Sequence, residues 1–253
     1  MEWYERWFNQ DYLELYNHRD QKEAAEQVNF LFSLNPLRVW GGDKICLDVA
    51  CGTGRHLESL IEKGIQAFGI DLSRILLANA TPSVLPKVAV ADMRSLPILS
   101  NKVDLITNFF TSFGYFKSKA EELRVITEFS RLLRDGGLLF MDLVNLDPVV
   151  RDLVPEKQFE FEGGTALVKK SIYNVDGETR VKKVIELNKV TGQKVVHTED
   201  VHLFTLSEIT HLLNQAGINI LEAYGESKGE VITFTKDSPR LVVLAQKQRQ
   251  KII

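Results

Sequence analysis

Residues 45–57 read ICLDVACGTGRHL, and this stretch decides the fold class of the chain. Its first part is apolar and strand-like, Gly52 and Gly54 follow in a turn, and a predicted helix begins directly after them. Because glycine has no Cβ, such a turn can adopt positive φ and lets a ligand approach its backbone closely. A second apolar segment ends at Asp71, where a carboxylate can accept hydrogen bonds from ribose hydroxyls. Together with the unpaired N–H groups at the start of the helix, these features predict a site for an adenosine cofactor.

The spacing of the glycines separates two kinds of adenosine cofactor. A site for NAD requires a third glycine three residues after the second, and this chain has Leu57 there. Residues 48–54, DVACGTG, place an acid four residues before the first glycine, and this order resembles motif one of the class I S-adenosylmethionine (SAM) methyltransferases. In that family the loop binds the methionine half of SAM, which implies cofactor contacts for Ala50, Gly52 and Gly54. The family usually has glycine where this chain has Ala50, and one methyl group there does not exclude the cofactor.

Two later segments resemble the same family. The resemblance implies that Asp71, with the adjacent Leu72, binds the ribose. It also implies that Asp92 accepts a hydrogen bond from the adenine amine while Met93 packs on the ring. Each segment has an ordinary alternative, because Asp71 could cap the helix that follows it and Asp92 could cap a turn. The distance of about 20 residues between the glycine loop and Asp71 favours ribose binding.

An aromatic segment follows the fourth predicted strand. Residues 108–116 read NFFTSFGYF and leave that strand at its carboxyl end, where open α/β sheets bind ligands. By the same resemblance, Phe109 and Phe110 flank the methyl donor, while Phe113 and Tyr115 form part of the acceptor pocket. Aromatic faces also attract a cationic sulfonium. The alternative is an ordinary helix start with aromatic side chains in the core.

The amino-terminal segment places Tyr12 and Tyr16 four residues apart on one helical face, with Arg19 near the next turn. In small-molecule methyltransferases of this type, an amino-terminal helix closes over SAM. The resemblance implies that Tyr16 and Arg19 contact the methionine carboxylate, and that Tyr12 borders the substrate. Tyr12 could equally pack on the sheet as part of an amphipathic helix.

The pattern along the chain predicts an α/β fold. Residues 2–34 are predicted to be helical, and five strands then alternate with helices, which favours a parallel, doubly wound sheet. In the middle of the chain, apolar and polar residues alternate with period two between hairpin signals, which is typical of antiparallel strands. A capping box at Thr205 and Glu208 then begins another helix, and the α/β pattern resumes. We therefore predict a seven-stranded Rossmann-like methyltransferase sheet with helices on both faces and an inserted antiparallel β-sheet. The predicted units are a core of residues 1–155 and 205–253, with a helical cap at 1–36, and an inserted subdomain at 156–204.

Composition limits the remaining possibilities. The 253 residues suffice for one α/β core, and the net charge of −3 provides no general attraction for nucleic acid. The only two cysteines, Cys46 and Cys51, do not form a disulfide framework, and no apolar run is long enough to cross a bilayer. We predict a cytoplasmic protein with reduced thiols and no membrane contact.

The sequence does not identify a catalytic base. His202 is a candidate because imidazole titrates near neutral pH. His197 also lies in the predicted inserted sheet, but its odd number and the even number of His202 place the two side chains on opposite faces. No group of His, Cys and Asp has the spacing of metal ligands, so no metal is predicted.

These features together predict a SAM-dependent methyltransferase that transfers the methyl group by in-line displacement to an oxygen or nitrogen of a small-molecule acceptor. One alternative is methylation of RNA or protein, for which the pairs Lys169–Lys170 and Lys182–Lys183 would provide positive charge. Another is a SAM-binding module without catalysis. The insertion could also join two copies of the chain in a homodimer.

Overall fold

A seven-stranded sheet and a four-stranded sheet organise the computed structural model, which describes residues 2–249. The helices are α1 (Trp3–Trp7), α2 (Gln10–Leu15), α3 (Gln21–Ser33), α4 (Arg55–Glu62), α5 (Arg74–Ala78), α6 (Lys119–Leu132), α7 (Leu146–Arg151) and α8 (Leu206–Gln215). The strands are β1 (Ile45–Val49), β2 (Gln66–Asp71), β3 (Val88–Val90), β4 (Val103–Asn108), β5 (Leu133–Val144), β6 (Glu156–Phe161), β7 (Gly164–Val175), β8 (Glu178–Lys189), β9 (Lys194–His202), β10 (Ile218–Tyr224) and β11 (Arg240–Lys247). Within residues 2–249, no helix is long and apolar enough to cross a membrane.

The large sheet has the strand order β10-β11-β5-β4-β1-β2-β3. Strands β1 to β5 run parallel to one another, whereas β11 runs antiparallel to both β5 and β10. The order of connection reverses between β1 and β4, and in open α/β sheets the ligand crevice lies at the carboxyl ends of the strands on either side of such a point. The glycine loop after β1 and the aromatic segment after β4 therefore meet at one edge.

Apolar side chains cover both faces of this sheet. On one face, α6 and α8 contribute Val125, Phe129, Ile209 and Leu213 to a buried cluster. On the other face, α3 and α4 contribute Val28, Leu31, Leu57 and Leu60 to a second cluster. A sheet that is covered on both faces requires strands whose residues are buried on both sides, and most residues of β1 and β4 are buried. The predicted fold class is confirmed.

The four strands β6 to β9 form an antiparallel meander between β5 and α8. The turn between β7 and β8 places Asp176 at φ 51° and Gly177 at φ 77°, the pair of positive φ angles that a two-residue hairpin of type I′ requires. The predicted insertion is therefore present as a sheet of its own. The pairing of two copies through this sheet stays a prediction.

Residues 2–34, which are predicted to be helical, contain three helices separated by two breaks that the prediction lacks. The Asn9 Oδ1 atom accepts hydrogen bonds from the N–H groups of Asp11 (2.8 Å) and Tyr12 (3.4 Å) and so begins α2. Asp20 begins α3 in the same way, through the N–H of Glu23 at 2.9 Å. Short polar side chains at these positions compete with the helical backbone for its N–H groups. The prediction also missed the short helix α7.

Helices α1 and α2 pack on the inserted sheet. Their side chains Trp7 and Leu15 lie in one buried cluster with Ala166, Val168, Ile185 and Leu187 of strands β7 and β8. Polar contacts reinforce this packing, because Lys189 pairs with Asp11 and with Glu14 (3.0 Å), and His197 lies 2.7 Å from Asp11. The amino-terminal cap and the insertion thus form a joint wall over the carboxyl edge of the large sheet.

Candidate active site

A cavity of about 840 Å³ lies between the carboxyl edge of the large sheet, helices α1 and α2, and the inserted sheet. Its lining includes most of the residues that the resemblance implies for the cofactor, namely Tyr16, Arg19, Ala50, Gly52, Asp71, Leu72, Asp92, Met93 and Phe109. Tyr12 and Tyr115, which the resemblance implies for the acceptor, also line it. The structure therefore brings together in one cavity residues from segments that are far apart in the sequence.

The two glycines of the loop have different roles. A Cβ built on Gly52, at φ 59°, would contact only Leu76 Cδ1 at 3.9 Å, so this position is open to a ligand. A Cβ on Gly54, at φ 80°, would lie 2.4 Å from Val84 Cγ1. Gly54 does not line the cavity, contrary to the cofactor contact that the resemblance implies. Its lack of a side chain instead allows close packing against Val84 at the start of α4.

Ala50 has the left-handed backbone conformation, with φ 61°. Glycine adopts this conformation without strain, whereas an L-residue there costs about 1–2 kcal/mol. The methyl group is accommodated, and Ala50 lines the cavity.

Asp71 is held rigidly at the end of β2. Its Oδ2 atom accepts a hydrogen bond from the Gly52 N–H at 2.8 Å, and Oδ1 accepts one from the Ser73 N–H at 2.7 Å. Burial raises the pKa of this carboxyl, and the backbone N–H groups that contact it act in the opposite direction. Because a carboxylate oxygen can accept more than one hydrogen bond, both oxygens retain capacity for hydroxyl donors.

Asp92 is an ionised acceptor beside the same cavity. Both of its oxygens accept hydrogen bonds from the Arg94 side chain at 2.7–3.1 Å. Burial acts to raise the pKa of Asp92, but the contacts with Arg94 outweigh it and hold the pKa below its usual value. Asp92 and Met93 both line the cavity, as the adenine segment of the family would.

The aromatic segment is strained where it leaves β4. Phe110 and Thr111 have φ values of 58° and 56°, which are unusual for residues other than glycine. The buried Asp142 on β5 stabilises this conformation, since its Oδ2 accepts from the Phe110 N–H at 3.2 Å and its backbone oxygen accepts from the Thr111 N–H at 2.7 Å. Arg240 on β11 in turn donates to Asp142 Oδ1 at 2.7 Å. Backbone strain of this kind persists where the surrounding structure enforces it, and it is concentrated at functional sites.

Three guanidinium groups surround the Phe110 ring. Their central carbons lie 4.3 Å (Arg19), 5.2 Å (Arg55) and 5.8 Å (Arg240) from the ring centroid. Arg55 is paired with Glu23 and Arg240 with Asp142, whereas Arg19 has no carboxylate partner within residues 2–249. Arg19 can therefore receive the carboxylate of a bound ligand, because guanidinium and carboxylate groups form strong paired hydrogen bonds.

Phe109 lines the cavity as a stacked pair with the buried His56. The two rings are 4.1 Å apart and inclined by 5°. His56 Nε2 lies 2.7 Å from Gln27 Oε1, and burial lowers the pKa of this imidazole well below its usual value. The neutral ring forms part of the wall of the cavity rather than a base.

Of the two residues of the aromatic segment that are predicted for the acceptor pocket, only Tyr115 lines the cavity. Phe113 is fully buried in the core and stacks on Phe204 at a centroid distance of 5.3 Å. Gly114, at φ 98°, separates the two side chains. The expected role of Phe113 in the pocket is therefore replaced by a role in core packing.

His202 does not line the cavity either. Its Nδ1 atom lies 2.9 Å from Glu122 Oε1 and 3.9 Å from a carboxylate oxygen of Glu178, in a buried cluster beneath the inserted sheet. The sequence spacing did not reveal this group of potential metal ligands. Arg180 donates to Glu178 at 3.1 Å, so a positive charge is already present there. The placement of His202 does not support its use as a base for an acceptor in the cavity.

Glu199 on β9 is a cavity residue that the sequence analysis missed. Glu199 is buried, and its carboxylate accepts hydrogen bonds from Trp7 Nε1 at 2.8 Å and from Lys183 Nζ at 2.5 Å. Burial acts to raise the pKa of Glu199, and these partners, with Lys183 foremost, lower it below the usual value. A carboxylate that is ionised near neutral pH thus faces the cavity from the inserted sheet.

The residues that line this side of the cavity provide the contacts that SAM requires. Gly52 is open for close approach, Arg19 is available for a carboxylate, and Asp71 and Asp92 are fixed acceptors at the ends of β2 and β3. The aromatic rings of Phe109 and Phe110 complete this side of the cavity and suit a sulfonium.

Comparison with known proteins agrees with this assignment. Residues 46–137 match the sequence profile of a family described as methyltransferase domain. The dTDP-3-amino-3,4,6-trideoxy-alpha-D-glucopyranose N,N-dimethyltransferase of Streptomyces venezuelae is 28% identical over 188 residues, covering 72% of this chain and 78% of that relative. The glycine/sarcosine N-methyltransferase of Aphanothece halophytica is 24% identical over 225 residues, covering 86% and 80%.

The fold has a counterpart among solved structures. A S-adenosylmethionine-dependent methyltransferase from Clostridium acetobutylicum ATCC 824 superposes with a TM-score of 0.73 at 19% identity, over 94% of this chain and 96% of that chain. The glycine loop, the acidic strand ends and the family match lead to one assignment. This chain resembles the class I S-adenosylmethionine-dependent methyltransferases in its fold and in the match of residues 46–137 to a methyltransferase domain.

Proposed function

We propose that this enzyme methylates a nitrogen atom of a small-molecule amine in the part of the cavity between the aromatic segment and the inserted sheet. The observation that carries the proposal is Glu199, an ionised carboxylate in a cavity wall that also contains tyrosine side chains. In this assignment the cofactor contacts Tyr16, Arg19, Ala50, Gly52, Asp71, Leu72, Asp92, Met93 and Phe109.

The aromatic wall favours a basic nitrogen, which attacks the methyl group through the lone pair of the neutral amine. Phe8, Tyr12, Tyr16 and Tyr115 line the cavity, and the neighbouring pairs among these rings have centroid distances of 5.0–5.7 Å. Burial raises the pKa of Tyr12, Tyr16 and Tyr115, so their hydroxyls stay neutral. Aromatic faces beside a carboxylate stabilise the positive charge that a neutral amine gains as it accepts the methyl group, and they interact less strongly with a neutral hydroxyl.

Bound SAM supplies a methyl group on a positively charged sulfur, which already is a good leaving group. The residues of this chain then need to position the nucleophile, and positioning can contribute about 7–11 kcal/mol in favourable cases. Because Lys183 keeps Glu199 ionised, the carboxylate can orient the amine and stabilise the positive charge that develops on nitrogen. A hydroxyl acceptor develops less positive charge once it loses its proton, so it would gain less from Glu199.

The relatives support nitrogen as the accepting atom. The names of both sequence relatives describe N-methylation, one of an amino sugar and one of glycine or sarcosine. We infer that acceptor choice in this chain depends on the helical cap at 1–36 and on the inserted unit at 156–204, since both contribute side chains to the lining of the cavity.

A transfer assay with methyl-labelled SAM tests the proposal. We expect label in primary or secondary amines and not in matched alcohols or phenols. Glu199→Gln should lower kcat/KM for the amine about 10–100-fold, the equivalent of one lost hydrogen bond to a charged group, without changing the Kd for SAM. Glu186→Gln, which removes an exposed carboxylate from neighbouring β8, is the matched control. Label in hydroxyl compounds or RNA but not in amines would refute the proposal.

A further inference from the structure

Three charged residues form a row across the inserted sheet. Lys170 on β7 is paired in register with Lys183 on β8, and Lys183 is paired with Glu199 on β9. Directly paired residues of antiparallel strands point to the same face. All three side chains line the cavity, so this face of the row is turned towards the acceptor.

The charges of the row do not cancel. Lys183 and Glu199 form an ion pair at 2.5 Å, so the row contains two lysines but only one carboxylate. Lys170 makes no side-chain hydrogen bond or ion pair with any residue in the described range 2–249, although its backbone N–H is anchored to the Pro155 carbonyl at 2.7 Å. The carboxylate of Asp152, which also lines this end of the cavity, is held by Arg151 at 3.0 Å.

The surroundings of Lys170 make its ammonium group poorly stabilised. Burial lowers the pKa of Lys170, and the positive charges of Lys183 and Lys157 add to this effect. An anion bound beside the ammonium would offset both contributions, because an opposite charge favours the charged form of a lysine. The adjacent Lys169, by contrast, is exposed and paired with Glu186 at 2.7 Å.

We propose that Lys170 binds an anionic group of the acceptor, a carboxylate or a phosphate, so that the substrate is an amine that also bears an anion. This inference rests on the proposed N-methylation. Because neighbouring strands are spaced about 4.7–4.9 Å apart, the backbones of Lys170 and Glu199 lie ~10 Å apart. The amine is bound at the Glu199 end of the row and the anion at the Lys170 end.

The test compares matched acceptors with and without the anion. The pairs are β-alanine with β-alaninamide and glucosamine phosphate with glucosamine, assayed with labelled SAM in the native enzyme, Lys170→Met and Lys169→Met. We expect the native enzyme and Lys169→Met to methylate the anionic member of one pair with a higher kcat/KM than the neutral member. A preference for β-alanine indicates a carboxylate site, and a preference for glucosamine phosphate indicates a phosphate site. In Lys170→Met the KM for that acceptor should rise about 10–100-fold, with kcat and the Kd for SAM within about twofold.

Two results would overturn the inference: equal use of the charged and neutral members by the native enzyme, or an unchanged KM in Lys170→Met. If SAM binds but no amine is methylated, the proposed function fails, and the anion site is then judged by equilibrium binding. Acetate and inorganic phosphate are titrated into the S-adenosylhomocysteine complexes of the same three proteins. Binding that Lys170→Met alone loses supports the anion site, and equal or absent binding in all three refutes it.

Discussion

Replacing Asp48 by asparagine should change how the stability of the enzyme depends on pH. Asp48 lies on β1 just before the glycine loop, 1% exposed, and its Oδ1 accepts a hydrogen bond from the Thr107 hydroxyl at 2.9 Å. Its Oδ2 atom is buried without a hydrogen-bond partner in residues 2–249. Burial is the main cause that raises the pKa of this carboxyl from 3.8 to about 7.

The sign and size of the effect follow from this shift. In the unfolded chain Asp48 ionises near pH 4, whereas in the folded enzyme it stays protonated up to about pH 7. The folded state therefore loses stability as pH rises through this window, by up to about 4 kcal/mol in total at ~1.4 kcal/mol per tenfold change in proton affinity. Between about pH 5 and pH 8 the loss is roughly 3 kcal/mol. Asparagine cannot ionise, so the variant should lack this loss.

Urea unfolding of the SAM-free proteins at several pH values measures the effect. The free energy of unfolding of Asp48→Asn, relative to the native enzyme, should increase by roughly 3 kcal/mol from about pH 5 to pH 8. Asp43→Asn, which removes the same charge from an exposed position before β1, should run parallel to the native enzyme. Parallel curves for Asp48→Asn and the native enzyme would refute the reasoning.

Two further substitutions test individual parts of the cofactor site. Ala50→Gly should raise the free energy of unfolding by about 0.5–1 kcal/mol, because the relief of left-handed strain in the folded state exceeds the entropy that glycine adds to the unfolded chain. A loss of stability in thermal or urea unfolding would contradict this account of Ala50. Arg19→Met should weaken the binding of SAM about 10–100-fold in calorimetry, because the SAM carboxylate loses its partner. S-adenosyl compounds without that carboxylate should bind the variant and the native enzyme equally. Equal weakening for both kinds of ligand would show that Arg19 acts only by supporting the cap.

The parts of the site that the sequence could predict are those whose residues are close together along the chain. The glycine loop, Asp71 and Asp92 follow successive strands of a parallel sheet, whose carboxyl ends necessarily meet at one edge. The strands themselves were predictable because burial on both faces demands long apolar runs. The capping box at Thr205 and Glu208 is likewise a local pattern, and the structure contains it.

The parts that the sequence could not predict depend on contacts between distant segments. Trp7, Lys183 and Glu199 meet only because α1 packs on the inserted sheet and because β8 and β9 pair in one particular register. A shift of that register by one residue would turn Glu199 away from the cavity. The partnership of Arg240 with Asp142 depends in the same way on the pairing of β11 with β5.

Two errors have more local causes. Asn9 and Asp20 are residues that commonly begin helices, and this signal was available but outweighed by the apolar positions of residues 2–34. For Phe113 and Tyr115, the sequence shows aromatic residues on either side of a glycine but not the backbone rotation at Gly114. That rotation decides which ring faces the cavity and which faces the core.

The most direct test of the SAM site is a calorimetric titration of SAM into the native enzyme and Asp71→Ala. A matched control is Asp104→Ala, because Asp104 also accepts a backbone N–H, from Ile45 at 2.9 Å, but does not line the cavity. We predict that SAM binds the native enzyme and the control alike and that folded Asp71→Ala binds it about 1.5–3 kcal/mol more weakly. Unchanged affinity in folded Asp71→Ala, or no binding of SAM to the native enzyme at millimolar concentration, would contradict the account.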